Sequence, residues 1–168
     1  MGDNPGSDNG DGKYPVNRIS WNMAQDFITQ LNSVTGLSFR LPTEAEWEFA
    51  ARGGNMSKGY KHAGSNDLNE VAWYGSNSNG LLHVVGLKKP NELGIYDMNG
   101  NVWEWTQDWY GLYSSEAQTN PTGPSSGSSK VHRGGCWNNN SQYSRVSGVR
   151  HTYPPTAGGT GEGFRLAL

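Results

Sequence analysis

The sequence predicts an α+β domain, with helices first and short irregular antiparallel strands joined by long loops afterwards. Three observations carry this. Two early segments repeat their apolar residues with a helical period and have capping residues at their ends. After Gly54 that period vanishes, and short apolar runs alternate with Gly, Asn, Ser and Pro. Seven Trp and eight Tyr supply packing area in a chain whose hydrophobic fraction is only 33%.

Residues 1–13 read as a flexible lead-in: MGDNPGSDNGDG forms turns and has nothing to bury. It carries neither the basic nor the apolar region of a signal peptide. From Ser20, the positions Trp21, Ala24, Phe27, Ile28 and Leu31 share one helical face, with Ser20 as N-cap and Gly36 as stop. A second helix is signalled by Thr43 and Glu46, the T-x-x-E capping box, which opens the run Ala45 to Ala51 before Gly53-Gly54. Strands are expected in the runs 71–74, 81–85, 94–96, 102–105 and 164–168. The Ser/Pro/Gly stretch 114–130 reads as an exposed loop. No repeat of solenoid length is present.

A length of 168 residues suits one domain, here 14–168. The formal charge of -2 obliges no face to be strongly basic, which argues against a nucleic-acid partner. No apolar run approaches the length of a membrane span, so no direct membrane insertion is expected. A single cysteine excludes an internal disulfide and a multi-cysteine metal site. None of the four histidines, His62, His83, His132 and His151, stands at metal-ligand spacing within a predicted helix. Cys136 reads as a small buried residue, because four residues of strand put His132, the nearest histidine in sequence, about 13 Å away.

The segments PVNRISWNMAQDF, LSFRLPTEAEWEFAARGG, NELGIYDMNGNVWEWTQDWY, VHRGGCW and the terminal GFRL together resemble the formylglycine-generating-enzyme and sulfatase-modifying-factor superfamily. That resemblance covers Tyr14 to Leu168 and implies a C-type-lectin-like fold. Enzymes of that family use two cysteines five positions apart to bind copper, and the matching positions here are Asn139 and Ser144. Neither offers a thiolate, the soft ligand for Cu(I), so formylglycine-type oxidase activity is not expected and no catalytic residue is assigned. The resemblance also implies a structural calcium ion, held by the side chains of Asp97 and Glu104 and the carbonyls of Gly100 and Val102. The alternative is a metal-free loop in which Asp97 caps a turn. No other cofactor is required.

The segment 137–164 resembles the variable region of proteins diversified by retroelements, the treponemal variable proteins being the nearest type. There, template adenines are copied with errors, so AAC codons for Asn become codons for His, Thr, Tyr, Pro, Ala, Gly, Ser, Val or Asp. Asn138, Asn139 and Asn140 fit unaltered copies, and His151, Thr152, Tyr153, Thr156 and Thr160 fit altered ones. The resemblance implies a diversity-generating-retroelement variable protein that binds ligands without catalysis. Its surface would comprise Asn138, Asn139, Asn140, Ser141, Tyr143, Gly148, His151, Thr152, Tyr153, Thr156 and Thr160, where Tyr gives contact area and Asn and Ser give adaptable hydrogen bonds. The partner would be an unidentified macromolecule, protein before carbohydrate. The setting would be the cell surface or exterior, on a lipoprotein or a phage. Two readings stand beside this one: a plain surface loop, and an enzyme or accessory domain of the modifying-factor type with altered or lost catalysis.

Overall fold

A computed structural model describes residues 12–168, so most of the expected lead-in, residues 1–11, lies outside the described residues. Helix α1 spans Trp21–Thr35: the Ser20 side chain accepts the Met23 N–H, and Gly36 closes the helix in the left-handed region at φ 70°. Helix α2 spans Glu44–Ala51 and begins with the complete Thr43–Glu46 capping box. Glu46 is also held by Arg40, whose hydrogen bonds lower its pKa to about 2. A single turn, α3 (Leu68–Val71), leads into β1 (Ala72–Trp73), which pairs in parallel with β2 (Asn99–Gly100).

The larger sheet has four strands, β3 (Trp103–Trp109), β4 (Lys130–Arg133), β5 (His151–Tyr153) and β6 (Glu162–Phe164), in the order β5-β4-β3-β6. The pairs β3·β4 and β4·β5 are antiparallel, as expected, whereas β3·β6 is parallel. The larger sheet is therefore mixed. The returning segment after β5 crosses the sheet and enters β6 from the same end as β3.

The runs 81–85 and 94–96 form no strand, because side chains and turn-type backbone bonds take up much of their hydrogen bonding. The Asn101 amide group brackets His83, accepting its N–H at 3.2 Å and donating to its carbonyl at 3.0 Å. Asn91 Oδ1 likewise accepts the N–H groups of Leu93 and Ile95 at 3.0 and 3.1 Å, which shapes a tight turn. Such side-chain bonds compete with sheet pairing. The stretch 114–128 is exposed as expected, whereas Ser129 is half-buried and Lys130 is buried at the start of β4.

One core cluster packs α1 on the sheet through Ile19, Ala24, Ile28, Leu41 and Trp105, and a second joins α2 to Met98 and Val146 through Trp47, Ala51 and Ala63. Charged groups tie these layers together. The buried Arg133 on β4 pairs with Glu44 at 2.7 Å and Glu48 at 2.9 Å on α2. Glu104 on β3 accepts Trp47 Nε1 at 2.6 Å and two N–H groups of Arg165, each at 2.6 Å. These are charge-assisted bonds whose Arg133, Glu44 and Glu104 members are buried, so their partners cannot be removed cheaply.

Two substitutions test this layout by thermal or denaturant unfolding. Trp105→Ala is expected to cost about 3–5 kcal/mol, since the ring is fully buried and its Nε1 donates to the Ile19 carbonyl. Thr43→Ala is expected to cost about 1 kcal/mol, the worth of a helix N-cap.

Candidate ligand-binding surface

The segment 137–164 runs across the frame and is attached chiefly through its own backbone. Ser78 Oγ donates to the Trp137 carbonyl at 2.6 Å, and the Gly75 N–H donates to the Asn139 carbonyl at 2.8 Å. His62 Nδ1 donates to the Ser144 carbonyl at 2.6 Å, and Arg133 Nη2 to the Val146 carbonyl at 2.9 Å. Further along, the Asn22 N–H reaches the Pro155 carbonyl, Asn17 Nδ2 the Thr160 carbonyl and the Trp103 N–H the Gly161 carbonyl, at 2.7–3.0 Å. Strand β5 completes the attachment by pairing with β4. A backbone carbonyl exists whatever the side chain, so these bonds hold the path without fixing the residues.

Glycines permit the closest approaches. A Cβ at Gly158 would lie 2.5 Å from the Ile19 carbonyl oxygen, and one at Gly163 would lie 2.5 Å from that of Val16.

The side chains divide into two groups. Asn138, Asn140, Ser141, Gly148, Tyr153, Thr156 and Thr160 are exposed, and Tyr153 shows 38% of its surface. Asn139, Tyr143, His151 and Thr152 are half-buried. Asn139 Oδ1 accepts the Cys136 N–H at 3.1 Å, and the Cys136 thiol lies 3.0 Å from Asn138 Oδ1 and 3.2 Å from Asn139 Oδ1. Burial pushes the Cys136 thiol up to about 12, so it stays protonated at neutral pH, and it is buried as the sequence suggests. Ser144, the other position that matches a family cysteine, is fully buried, and its Oγ has no hydrogen-bond partner among the described residues.

One contact is absent from the sequence reading. His132 and His151 face each other across β4 and β5, with His132 Nε2 2.8 Å from His151 Nδ1, so one ring must donate its proton to the other. The Trp103, Trp105 and Tyr153 rings enclose the pair: Trp105 stacks on His132 at 4.9 Å, Trp103 lies 5.3 Å from His151, and Tyr153 lies 5.5 Å from each histidine. Tyr143 meets the edge of Trp103 at 5.9 Å. The available signal is one histidine in each of the short runs 130–133 (KVHR) and 151–153 (HTY), which becomes informative only once the strands are known to pair. Burial, and then the neighbouring His151, hold His132 well below the ordinary histidine value.

The expected calcium loop is arranged unevenly. Asp97 has one oxygen, Oδ2, accepting the Gly86 N–H at 2.7 Å, while its buried Oδ1 has no partner among the described residues. Burial raises its pKa. Both Glu104 oxygens are engaged by Arg165, and Oε2 also accepts from Trp47. Gly100 lies on β2 with φ 79°, where a Cβ would collide with the Trp73 carbonyl, and Val102 is buried beside β3. Among the described residues, no three His, Cys, Asp or Glu side chains gather as a metal-binding group. No helix among them is long and apolar enough to cross a membrane.

This backbone-anchored segment on a lectin-like frame defines a class. The profile of the sulfatase-modifying factor enzyme 1-like domain matches residues 2–168, and the chain belongs to that family. It is 36% identical over 159 residues to the serine/threonine-protein kinase pkn1 of Chlamydia pneumoniae, covering 92% of this chain and 24% of that protein. It is 33% identical over 169 residues to the mouse formylglycine-generating enzyme, covering 92% of this chain and 44% of the enzyme. The chain thus spans a quarter to under half of these relatives. Among solved structures it is similar to Treponema denticola variable protein 1, with a TM-score of 0.89 and 35% identity over 99% of this chain and 77% of that one. The formylglycine-generating-enzyme, C-type-lectin-like fold expected from the sequence is therefore the fold observed.

The buried histidines set an acid limit on stability. Burial lowers the pKa of His132 and of His62 below 6.5 in the folded state. The unfolded chain therefore takes up protons that the folded chain refuses, and stability falls as pH drops below about 6.5. The raised carboxyls of Asp97, Asp108 and Glu162 act oppositely, favouring the folded state as pH falls through their own titrations. Comparing native protein with His132→Leu isolates the histidine contribution. Between about pH 7 and 5 the variant should lose less stability, by up to about 1.4 kcal/mol per pH unit. Parallel curves would contradict the assignment.

Proposed function

We propose that the chain is a non-catalytic ligand-binding domain of the retroelement-diversified type, displaying 137–164 as a sequence-variable surface toward a macromolecular partner. The observation that carries this reading is the division of labour along the segment: its path is held chiefly through carbonyl and amide groups, while seven of the eleven candidate contact residues are exposed. The likeness to the treponemal variable protein supports it. A protein partner fits the surface better than a sugar, because Tyr153 offers broad amphipathic area beside small adaptable polar groups. The natural setting of such a surface is outside the cell, on a lipoprotein or phage.

The enzyme reading finds little support in the residues. Asn139 and Ser144 cannot supply thiolates, and the one cysteine is buried with a raised pKa. Copper-supplemented protein given a cysteine-containing peptide should consume no oxygen above a blank; turnover would restore that reading.

The receptor reading is tested in the gene itself. Sequenced from many individuals of the source population, its 3′ end should vary at adenine-derived positions within 137–164 and stay uniform at Trp137, Arg145, Val146, Arg150, Phe164 and Arg165. A uniform segment would count against it. Single changes at Asn138, Asn140, Thr156 or Thr160 should each alter stability by no more than about 0.5 kcal/mol.

A structural calcium at Asp97, Gly100, Val102 and Glu104 remains a proposal. The unpartnered Asp97 Oδ1 supports it, and the engagement of Glu104 by Arg165 weighs against it. Added calcium should raise the melting temperature and a chelator reverse the rise; an unchanged temperature argues for the metal-free loop.

A further inference from the structure

The four-stranded sheet ends at β6, which has β3 on one side and, among the described residues, no strand on the other. The chain runs on from it as Phe164-Arg165-Leu166-Ala167-Leu168. The Ala167 N–H donates to the Arg40 carbonyl at 2.8 Å, and its own carbonyl accepts the Arg40 N–H at 2.9 Å. Successive residues of a strand turn their amide groups opposite ways, so Leu166 and Leu168 face outward. Neither has a backbone hydrogen bond among the described residues.

Apolar side chains gather beside this open edge. Met23, Phe27 and Val34 fall on one stripe of α1, and Leu37 follows the helix end. Phe27 meets the edge of Phe164 at 5.6 Å, and the pairing of Arg40 with Ala167 lays residues 37–40 beside 166–168. The six side chains of Met23, Phe27, Val34, Leu37, Leu166 and Leu168 are 36–75% exposed. Together they make a patch of several hundred Å², the size at which exposed apolar surface marks an interaction site.

The edge lacks the usual guards. Open strand edges are commonly blunted by lysine, proline or a bulge. Residues 164–168 contain no lysine or proline, and their one charge, Arg165, is neutralised by Glu104 through two bonds of 2.6 Å. Asp26 is the one charged residue of α1, and Arg40 is occupied by Glu46 at 2.6 Å, so little like charge opposes a second copy. The occupant that matches such an edge is the same edge inverted. Two identical strands pair antiparallel about a two-fold axis, Leu166 against Leu166, and bring both apolar stripes together. A standard interface takes about 800 Å² from each partner, which the patch and the edge backbone together approach.

We propose that the chain forms a two-fold symmetric dimer through this edge, joining two four-stranded sheets into one continuous sheet with the α1 stripes packed across the axis. Strand β5, which carries His151, Thr152 and Tyr153, lies at the opposite edge of each sheet. Both copies of β5 therefore stay free, and the dimer presents them twice. The dimer does not rest on the reading of 137–164 as a binding surface, and it stands if that reading fails.

The test is sedimentation equilibrium of the chain from about 1 to 300 μM, where a reversible monomer–dimer equilibrium with a micromolar dissociation constant is expected. Val34→Lys and Leu168→Lys, at positions 75% and 73% exposed, should each weaken association at least about tenfold and leave the melting temperature in dilute solution unchanged. Leu112→Lys, at a position 93% exposed on the loop after β3, is the control and should leave association as it is. Amide hydrogen exchange at Leu166 and Leu168 supplies a second readout. It should slow as the concentration rises through the dissociation constant, whereas association through another face would leave it fast. A chain that stays monomeric throughout, association insensitive to both lysines, or exchange at the two leucines independent of concentration would overturn the proposal. So would a monomer whose edge is filled only by an added strand-forming peptide.

Discussion

The structure depends on how the C-terminal segment is secured: chiefly by its carbonyls and amides, with side-chain contacts added at Asn139, Arg150 and His151. Donors fixed on the frame, namely Ser78, His62, Arg133, Asn17 and the N–H groups of Gly75, Asn22 and Trp103, reach down on carbonyls of 137–161. A hydrogen-bonded carbonyl constrains the path of the chain and is indifferent to what its residue carries. The segment can therefore be stiff and chemically open at once, the combination that recognition surfaces need to limit the entropy lost on binding.

The donors must themselves be immobile, and buried charge serves that end. Arg133 is held by Glu44 and Glu48 before it reaches the Val146 carbonyl, and Arg165 locks Glu104 against Trp47 just beyond β6. Such pairs contribute little net stability compared with apolar packing, yet breaking one strands a charge in the interior at a cost of about 3–5 kcal/mol. Their value here is geometric. The same logic limits the freedom of the segment: His151, Tyr143 and Asn139 lean on His132, Trp103 and Cys136, so the half-buried members are less exchangeable than their exposed neighbours.

The parts of the fold legible in the sequence were those determined locally. Ser20, Gly36 and the Thr43–Glu46 box mark both helices because capping is a matter of adjacent residues, and the exposure of 114–128 follows from its composition. Strand assignments failed where a distant side chain replaced a strand: nothing near His83 announces that Asn101, eighteen residues on, will bracket its backbone. The parallel entry of β6 was equally hidden, since local pattern is the same for either direction. At the surface, the exposed positions were legible as runs of residues unsuited to a core. The buried charges Glu44, Glu104 and Arg133 were not, because a charged residue reads as exposed until its partner, 57 to 89 residues away, is in place.

The central claim is tested most directly by native-state amide hydrogen exchange at Gly75, Trp103 and Asn22, whose N–H groups hold the Asn139, Gly161 and Pro155 carbonyls. The comparison is between the native chain and one with Asn138, Asn140, Ser141, Tyr153, Thr156 and Thr160 all replaced by other residues reachable from an AAC codon. Equal protection of the three amides in both chains is the predicted result. Loss of protection in the replaced chain, with the helices α1 and α2 unchanged, would mean that side chains hold the segment, and the account would fail.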